Sequence, residues 1–316
     1  MSINVFKKIA LLGFMAASTS VFAGPLNDYN LILSGDFGVS GGSGHVHGKT
    51  FIGGNLNGMN PEFAQDAIYK SLTTDTLEVV GDLNANMLKV NGGALGYGGT
   101  NNVGTINCNG TPFGGSAACV HQVSGLDAKK TNLFNQLTAE SNYYKSLVST
   151  GVVNNSDLNQ SKFIYGGLAT DLAVFNLSGS TLFSSHGWDI DFGNAQKVVI
   201  NVSGTNLNGL GSFNFLGNFG ASANYSNILW NFYEAENTLD LGNRWAGSVL
   251  ALNAAVDINN DIDGSLAAKS YIGDGQIHDY HWSYTPPKTN VPEPSSLLLS
   301  LFGLGLVLLG RARRQK

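Results

Sequence analysis

The sequence has few charged residues and only two cysteines. Charged residues make up 12% of the 316 positions, about half of the ~25% that is usual for globular domains. The polar surface therefore has to come from Asn, Ser and Thr, and the 41 glycines favour short strands and tight turns over helices. The two cysteines have no third or fourth metal ligand near them, which disfavours a zinc site.

The C-terminal tail lacks an apolar run of full bilayer length, yet it combines three distinct parts. These are Pro292, Glu293 and Pro294, an apolar run from Leu297 to Leu309, and the basic residues Arg311, Arg313, Arg314 and Lys316. The run would rise only about 20 Å as a helix, against about 30 Å for the bilayer core. The basic cluster, which stays on the cytoplasmic side, is therefore the stronger indication of membrane insertion.

This tail resembles a PEP-CTERM sorting signal. The resemblance implies a Gram-negative bacterium in which an exosortase, a membrane protease, cleaves near Pro292-Glu293-Pro294. It also implies an inner-membrane-anchored precursor, held only by the C-terminal transmembrane helix, and delivery to the cell surface or the exopolysaccharide matrix.

The N-terminus indicates export independently. Lys7 and Lys8 precede an apolar run, and small residues lead up to Ala23, as in a secretory signal peptide cleaved between Ala23 and Gly24. The expected parts are a signal peptide (1–23), a β-rich domain (24–283), a linker with the Pro-Glu-Pro motif (284–294) and the sorting helix with its basic tail (295–316).

Processing makes the exported body more acidic than the precursor, whose net charge is −5. Removing Lys7, Lys8 and the four basic tail residues from the 17 basic residues leaves 11 against 22 acidic ones, a net charge near −11. Such a charge argues against nucleic acid and anionic membranes as partners.

Cys108 and Cys119 flank a short glycine-rich loop. In an exported chain they are expected to pair, and a loop of this size would stabilise the fold by roughly 3 kcal/mol on the chain-entropy model. We therefore interpret them as a structural disulfide.

Alternating apolar residues predict many short strands, and a weak glycine-centred repeat suggests how they are arranged. Trp245–Ala251 recurs 17 residues later as Ile262–Ala268, and Val46–Ile52 is a looser third copy. A large residue, a glycine corner and an apolar run suit one layer of a β-solenoid (β-helix). A β-sandwich with similar turns is the alternative.

One segment, Leu126–Val148, instead has the apolar spacing of an amphipathic helix. We expect its apolar stripe, which includes Leu137, to pack along the side of the β-structure. The charged residues Lys129, Lys130, Glu140 and Lys145 would then form its solvated face.

The body resembles the choice-of-anchor A domain at both ends. The similar segments are 29–37, 51–56, 228–232, 245–251, 262–268 and 273–278. The resemblance implies an extracellular, surface-displayed module that in some family members mediates adhesion, and it provides no catalytic residue. A helix beside a strand stack is also similar, in architecture alone, to the ice-binding β-solenoid proteins.

Candidate chemical sites are incomplete. His45 and His47 form one histidine pair, and His278 and His281 form a second. Asp257–Asp263 has alternating oxygen donors but lacks the glycine and glutamate of a calcium loop, and Asp189 with Asp191 forms a local carboxylate pair. We favour solvent-exposed or hydrogen-bonded histidines and Asx turns, and expect no cofactor or catalytic group.

Three functional classes fit an exported chain of this kind. An adhesion or structural module that binds exopolysaccharide or a matrix protein agrees best with the two sorting signals. A secreted polysaccharide-active β-helix enzyme should have a cleft containing a carboxyl of raised pKa. An ice- or surface-binding protein should have a regular threonine ladder, whereas Thr73, Thr74 and Thr76 are isolated.

Overall fold

Short strands bounded by Gly, Asn and Ser dominate the fold. The computed structural model describes residues 24–284 except 39–41, 116, 168–171 and 209–210. The first elements are β1 (Leu31–Leu33), β2 (His45–Val46), β3 (Thr50–Ile52), β4 (Glu62–Phe63), β5 (Asp75–Val79), β6 (Met87–Val90), β7 (Ala94–Tyr97), β8 (Thr105–Cys108), β9 (Val120–Gln122) and α1 (Leu126–Ser146). The next are β10 (Val152–Asn154), β11 (Ser161–Ile164), β12 (Leu172–Ser178), α2 (Gly179–Ser184), β13 (Gly187–Asp191), β14 (Lys197–Ser203), β15 (Asn214–Phe215) and β16 (Ile228–Asn231). The last are β17 (Glu236–Gly242), β18 (Trp245–Ala246), β19 (Ser248–Ile258), β20 (Ile262–Asp263), β21 (Leu266–Tyr271) and β22 (Gln276–His278). Short 3₁₀ helices occupy Pro25–Asn27, Ala67–Tyr69, Ala117–Cys119, Gly217–Gly220 and Ser222–Asn227. The prediction of a mainly β protein is confirmed.

The strands form three sheets, and nearly all neighbours run parallel. An eleven-stranded sheet has the order β12-β14-β16-β19-β21-β1-β3-β5-β7-β9, with β17 beside β19. A seven-stranded sheet has the order β18-β20-β22-β2-β4-β6-β8, and a four-stranded sheet the order β10-β11-β13-β15. Among the described strands, β10 and β11 are the antiparallel neighbours. From β1 to β9 the chain alternates between the two larger sheets, so each stretch of chain adds one layer to both.

The first and last strands of the domain meet inside these sheets. Leu31 in β1 pairs with Leu266 in β21, and His45 in β2 pairs with Gln276 in β22. The chain leaves this junction toward β9, passes through α1, and returns to the junction from β12 onward. The N- and C-terminal halves are therefore stacked on each other.

The glycine-centred repeat corresponds to two adjacent layers. Trp245 lies beside Ile262 and Leu250 beside Ala267, so the 17-residue offset places the first copy in register on the second. Gly247 has a φ of +98°, and a Cβ on Gly264 would collide with the Gly247 backbone. Glycine is therefore required at both corners.

The third copy, Val46–Ile52, lies two layers from Ile262–Ala268. The layer between them is built from both ends of the domain, because Ile277 separates Ile262 from Val46 and Leu31 separates Leu266 from Thr50. The buried side chain of Asn30 joins the corners on either side. It donates to the Gly264 carbonyl and accepts from the Gly48 amide, each at 3.0 Å.

Side chains of Asp and Asn link successive layers through the backbone amides of the turns. The backbone amide of Asn55 donates to Asp36 at 2.6 Å, the amide of Asp82 donates to Asn55 at 2.8 Å, and the amide of Thr100 donates to Asp82 at 2.7 Å. Each side chain thus holds the turn of the next layer.

Helix α1 packs on the eleven-stranded sheet, where it contacts β14, β16 and β19. Its buried residues include Leu126, Leu133 and Leu137, as predicted. The predicted end at Val148 was wrong, because the helix stops at Ser146 and Val148 is 81% exposed. The assignment of Glu140 to the solvated face was also wrong, since Tyr144 and Trp282 cover this carboxylate.

Cys108 and Cys119 form the predicted disulfide, with their Cα atoms 5.9 Å apart. Ala23 and the sorting residues from 292 onward lie outside the described residues. Within the described part of the chain, no helix combines the length and the apolar character needed to cross a bilayer. The predicted membrane helix belongs to the segment that is not described.

Candidate functional site

The two predicted histidine pairs meet in the structure. The rings of His47 and His278 lie 4.7 Å apart between centroids. Each also contacts a carboxylate: Nδ1 of His47 lies 2.9 Å from Asp66, and Nδ1 of His278 lies 2.7 Å from Asp263. Among the described residues, no set of three or more His, Cys, Asp or Glu side chains is placed to hold a metal ion.

The other two histidines of these pairs also lie beside acidic groups. His45 lies 4.0 Å from Glu62. His281 lies 2.5 Å from Asp279, which also accepts a hydrogen bond from Tyr69 at 2.7 Å. His47, His278 and His281 thus lie within hydrogen-bond distance of carboxylates, whereas His45 lies beyond that distance from Glu62.

The acidic motifs do not converge on one point. Asp257 lies beside Asp240 in β17, whereas Asp263 lies in β20 and faces Arg244 and His278. Asp189 accepts hydrogen bonds from the backbone amides of Ile190 and Asn218, and Asp191 from that of Gly193. Asp189 and Asp191 thus act as Asx groups that fix turns.

A cleft opens where β15, the end strand of the four-stranded sheet, faces β18, the end strand of the seven-stranded sheet. Its volume is about 330 Å³, within the range of small-molecule sites. Three amides, those of Asn214, Asn243 and Asn260, line it together with the charged side chains of Arg244 and Asp263. Aromatic side chains complete the lining: Phe215 is partly exposed, while Phe219 and Tyr225 are buried behind it.

An ion pair between the exposed Arg244 and the buried Asp263 forms the charged end of this cleft, which we call the Arg244 cleft. Nε of Arg244 donates to Asp263 at 2.5 Å, and the Arg244 side chain is 57% exposed while that of Asp263 is 1% exposed. Burial opposes the ionisation of Asp263, but hydrogen bonds from His278 and Arg244 hold its pKa below the ordinary value. The hydrogen bond to Asp263 in turn raises the pKa of His278. The bond to Asp263 uses one of the five N–H donors of the guanidinium, so the others can serve a ligand.

The aromatic wall is fixed by the core behind it. The ring of Phe219 lies 4.8 Å from that of Phe215 and stacks on the buried Trp230 at 5.6 Å. Tyr225 packs edge-on against Tyr280 at 5.1 Å, and the Arg244 guanidinium lies 5.5 Å from its ring centroid. The wall is thus pre-formed.

Sequence reasoning missed Arg244 as a site residue. The available signal was that Arg244 is the sole arginine ahead of the tail. Of the amides that accompany it, Asn214 and Asn243 are 29 residues apart, and Asn243 donates to Asn214 at 3.3 Å. Because the chain is rich in Asn, no sequence pattern distinguishes Asn214, Asn243 and Asn260 from its other asparagines.

Comparison with known proteins identifies two regions. The family model described as "Putative Ice-binding-like adhesive domain" matches residues 22–279, and the model of the PEP-CTERM protein-sorting motif matches residues 290–315, which confirms the predicted sorting signal. A crystal structure of an ice-binding protein from an Antarctic bacterium of the Flavobacteriaceae aligns with 83% of this chain and 81% of its own, at 14% identity and a TM-score of 0.26. That likeness is too distant to support a functional argument. None of the curated proteins matches this chain.

Proposed function

The chain belongs to the ice-binding-like adhesive domain family, and we propose that it is a non-catalytic adhesin that binds carbohydrate in the Arg244 cleft. Its PEP-CTERM motif makes it an exported, surface-sorted protein processed by an exosortase. The observation that carries the proposal is the lining of the cleft, in which an exposed guanidinium and three amides lie beside the partly exposed ring of Phe215. Amides both donate and accept, as sugar hydroxyls require, while the Phe215 ring provides apolar contact area.

The setting suits adhesion rather than tight binding by a single molecule. The cleft is open and small, so one site would bind weakly, but many copies displayed on one surface would act together. Exopolysaccharide is the preferred ligand class, with a matrix protein as the other proposed partner.

The non-catalytic assignment is supported by the electrostatics of the cleft. A polysaccharide-cleaving enzyme needs a carboxyl that keeps its proton near neutral pH. The pKa of Asp263 is instead held low by its two hydrogen-bonded partners, so this group is a poor proton donor.

Several finer assignments belong to the same proposal. The alternation of the chain between parallel sheets supports a β-solenoid over a β-sandwich, whose sheets are antiparallel. The choice-of-anchor A name, the Gram-negative source and the membrane-anchored precursor rest on the sequence resemblances alone.

Ice or another ordered surface is a second candidate ligand. Asn57, Asn84 and Asn102 form a row in which each amide donates to the preceding one, at 3.3 and 2.9 Å. Asn84 and Asn102 are exposed, and the row lines a shallow groove of about 580 Å³. If this face binds ice, the purified protein should alter ice-crystal growth, and Asn84→Leu should reduce that effect.

Binding to a panel of bacterial polysaccharides and matrix proteins tests the main proposal. Arg244→Gln should weaken carbohydrate binding by about tenfold or more, because a hydrogen bond to a charged group contributes ~1.5–3 kcal/mol. Asn260→Ala changes the same cleft without removing either hydrogen-bond partner of Asp263, and it should weaken binding too. Lys70→Gln, which removes an exposed cation outside the cleft, is the matched control.

Unchanged affinity in folded Arg244→Gln and Asn260→Ala would contradict the assignment of the cleft. Turnover of any polysaccharide by the wild-type protein would replace adhesion with the enzyme alternative.

A further inference from the structure

Helix α1 carries a buried carboxylate, that of Glu140. Glu140 is 9% exposed, and its Oε1 accepts a hydrogen bond from Tyr144 at 2.9 Å. Its Oε2 is buried and has no hydrogen-bond partner among the described residues. A buried carboxylate oxygen without a partner costs folding free energy. A cation or a hydrogen-bond donor is therefore expected beside this oxygen.

The backbone of Gly24 lies next to the Glu140 carboxylate. A Cβ built on Gly24 would collide with Oε2 of Glu140 and would lie 2.8 Å from Oε1. The nitrogen of Gly24 is bonded to the same Cα, so it lies within about 5 Å of the carboxylate. Any side chain at position 24 would have to displace Glu140, which gives a physical reason for glycine there.

The short segment after Gly24 fixes this proximity. Pro25 and Leu26 are buried, and the 3₁₀ helix Pro25–Asn27 contacts α1. The carbonyl of Gly24 accepts a hydrogen bond from the Asn27 amide at 2.9 Å. The start of the domain is therefore tied down beside Glu140 instead of extending into solvent.

Gly24 is also the first residue after the signal-peptide cleavage site that the sequence predicts. Hydrolysis of the Ala23–Gly24 bond leaves a carboxylate on Ala23 and a primary amine on Gly24, which is largely protonated at neutral pH because α-amino groups have a pKa of about 8. We propose that the buried Glu140 carboxylate is the binding site for the Gly24 α-ammonium group that export creates.

The energetics agree with this pairing. Burial raises the pKa of Glu140 to about 7, against weaker opposing effects of the neighbouring Tyr144 and Trp282 side chains. A cation brought within ion-pair distance would keep the carboxylate ionised, and the two charges would offset each other's desolvation. The uncleaved chain has an amide nitrogen at this position, so the full pair forms only after processing.

The test uses protein exported from the full-length gene, with its N-terminus verified by intact mass. Glu140→Gln is compared in two backgrounds, one with the natural cleavage site and one with an Ala inserted after Ala23, so that Gly24 keeps an amide nitrogen. In the natural background Glu140→Gln should lower Tm by several degrees, and in the insertion background by clearly less. Equal shifts in both backgrounds would overturn the proposal.

Amine labelling provides a second measurement that needs no variant. At pH 7 the α-amine of the folded wild-type protein should react at least about tenfold more slowly than that of a Gly-Pro-Leu peptide, since each unit by which the ion pair raises its pKa lowers the free-base fraction tenfold. Labelling at the peptide rate would overturn the proposal even if Glu140→Gln fails to fold. Both outcomes are independent of ligand binding in the Arg244 cleft.

Discussion

The side-chain amide of Asn201 donates to the backbone carbonyl of Tyr144 at 2.8 Å and so ties the eleven-stranded sheet to helix α1. The in-register neighbours of Asn201 do the same: Asn176 donates to the Leu147 carbonyl and Asn231 to the Ser141 carbonyl, each at 3.0 Å. Three helical residues rise about 4.5 Å, close to the ~4.8 Å between strands. The spacing of the strands therefore matches the spacing of every third backbone carbonyl along the helix, so that each Asn side chain reaches one of these carbonyls.

Replacing the central amide of this row should destabilise the domain strongly. Asn201→Ala removes the two hydrogen bonds that Asn201 donates, to Tyr144 and Asn176, and the one that it accepts from Asn231. We expect a loss of about 2–4 kcal/mol in the free energy of unfolding, because each of the three hydrogen bonds contributes ~0.5–1.5 kcal/mol. Asn84→Ala, in the exposed amide row, is the matched control and should change stability by less than about 1 kcal/mol. Denaturant unfolding measures both, and equal losses would mean that the buried row does not hold the helix.

Leu137 tests the docking of the helix through its apolar contacts. Leu137 is fully buried while the adjacent Thr138 is exposed. Leu137→Asp places a charge against the sheet and should cost several kcal/mol, whereas Thr138→Asp should be nearly neutral. A Leu137→Asp protein as stable as the wild type in thermal unfolding would show that α1 is not docked.

The pair of Asp263 and His278 should make stability depend on pH in a defined direction. The pKa of His278 is raised, mainly by its hydrogen bond to Asp263, so its contribution is complete below the unfolded value of about 6.5 and is lost as the pH rises through the folded value. The pKa of Asp263 is lowered, so its contribution is present above about 3.9 and is lost as the pH falls through the folded value. Both contributions are complete from about pH 4 to 6.5.

Thermal unfolding between pH 6 and 8 checks the histidine side of this prediction. Asp261 and Arg244 also face His278, with opposite effects on its pKa, so a variant at His278 itself is the cleanest test. His278→Asn should flatten the fall in stability above pH 6.5, while His121→Asn, at a half-exposed histidine near Asp75, should leave the slope unchanged. An unaltered slope in His278→Asn would contradict the assignment.

The disulfide should contribute measurably to stability because it closes an 11-residue separation between β8 and the 3₁₀ helix that precedes β9. On the chain-entropy model its loss costs about 3 kcal/mol. Changing both cysteines to serine should lower Tm by roughly the same amount as reduction of the wild-type protein. If reduction alters Tm in the serine variant as well, the effect does not come from Cys108 and Cys119.

Export and sorting should remove both ends of the chain. The mature protein is expected to begin at Gly24 and to end at or near Pro294. Intact mass of protein extracted from the cell surface checks both cuts at once. Recovery of the chain with its basic tail, Arg311 to Lys316, would refute processing at the C-terminus.

Sequence patterns predicted those features that depend on local chemistry. The copies Trp245–Ala251 and Ile262–Ala268 could be recognised because each adds one layer, and Gly247 and Gly264 must be glycine for the corners to fit. The apolar spacing around Leu137 predicted the helix. Glu140 was misassigned because a charged residue at the edge of an apolar stripe normally faces water, whereas here Trp282, far along the chain, covers it.

The sequence by itself determined the alternation of short strands and turns, the long helix, the disulfide and the export signals, because each depends on residues that are neighbours in the chain. Only the tertiary structure decided that Leu31 would lie beside Leu266 and that Asn214 would meet Asn243. Parallel strands pair through backbone groups that are the same in every residue, so their order in a sheet leaves little trace in the sequence. The Arg244 cleft and the contact between Gly24 and Glu140 both follow from that order.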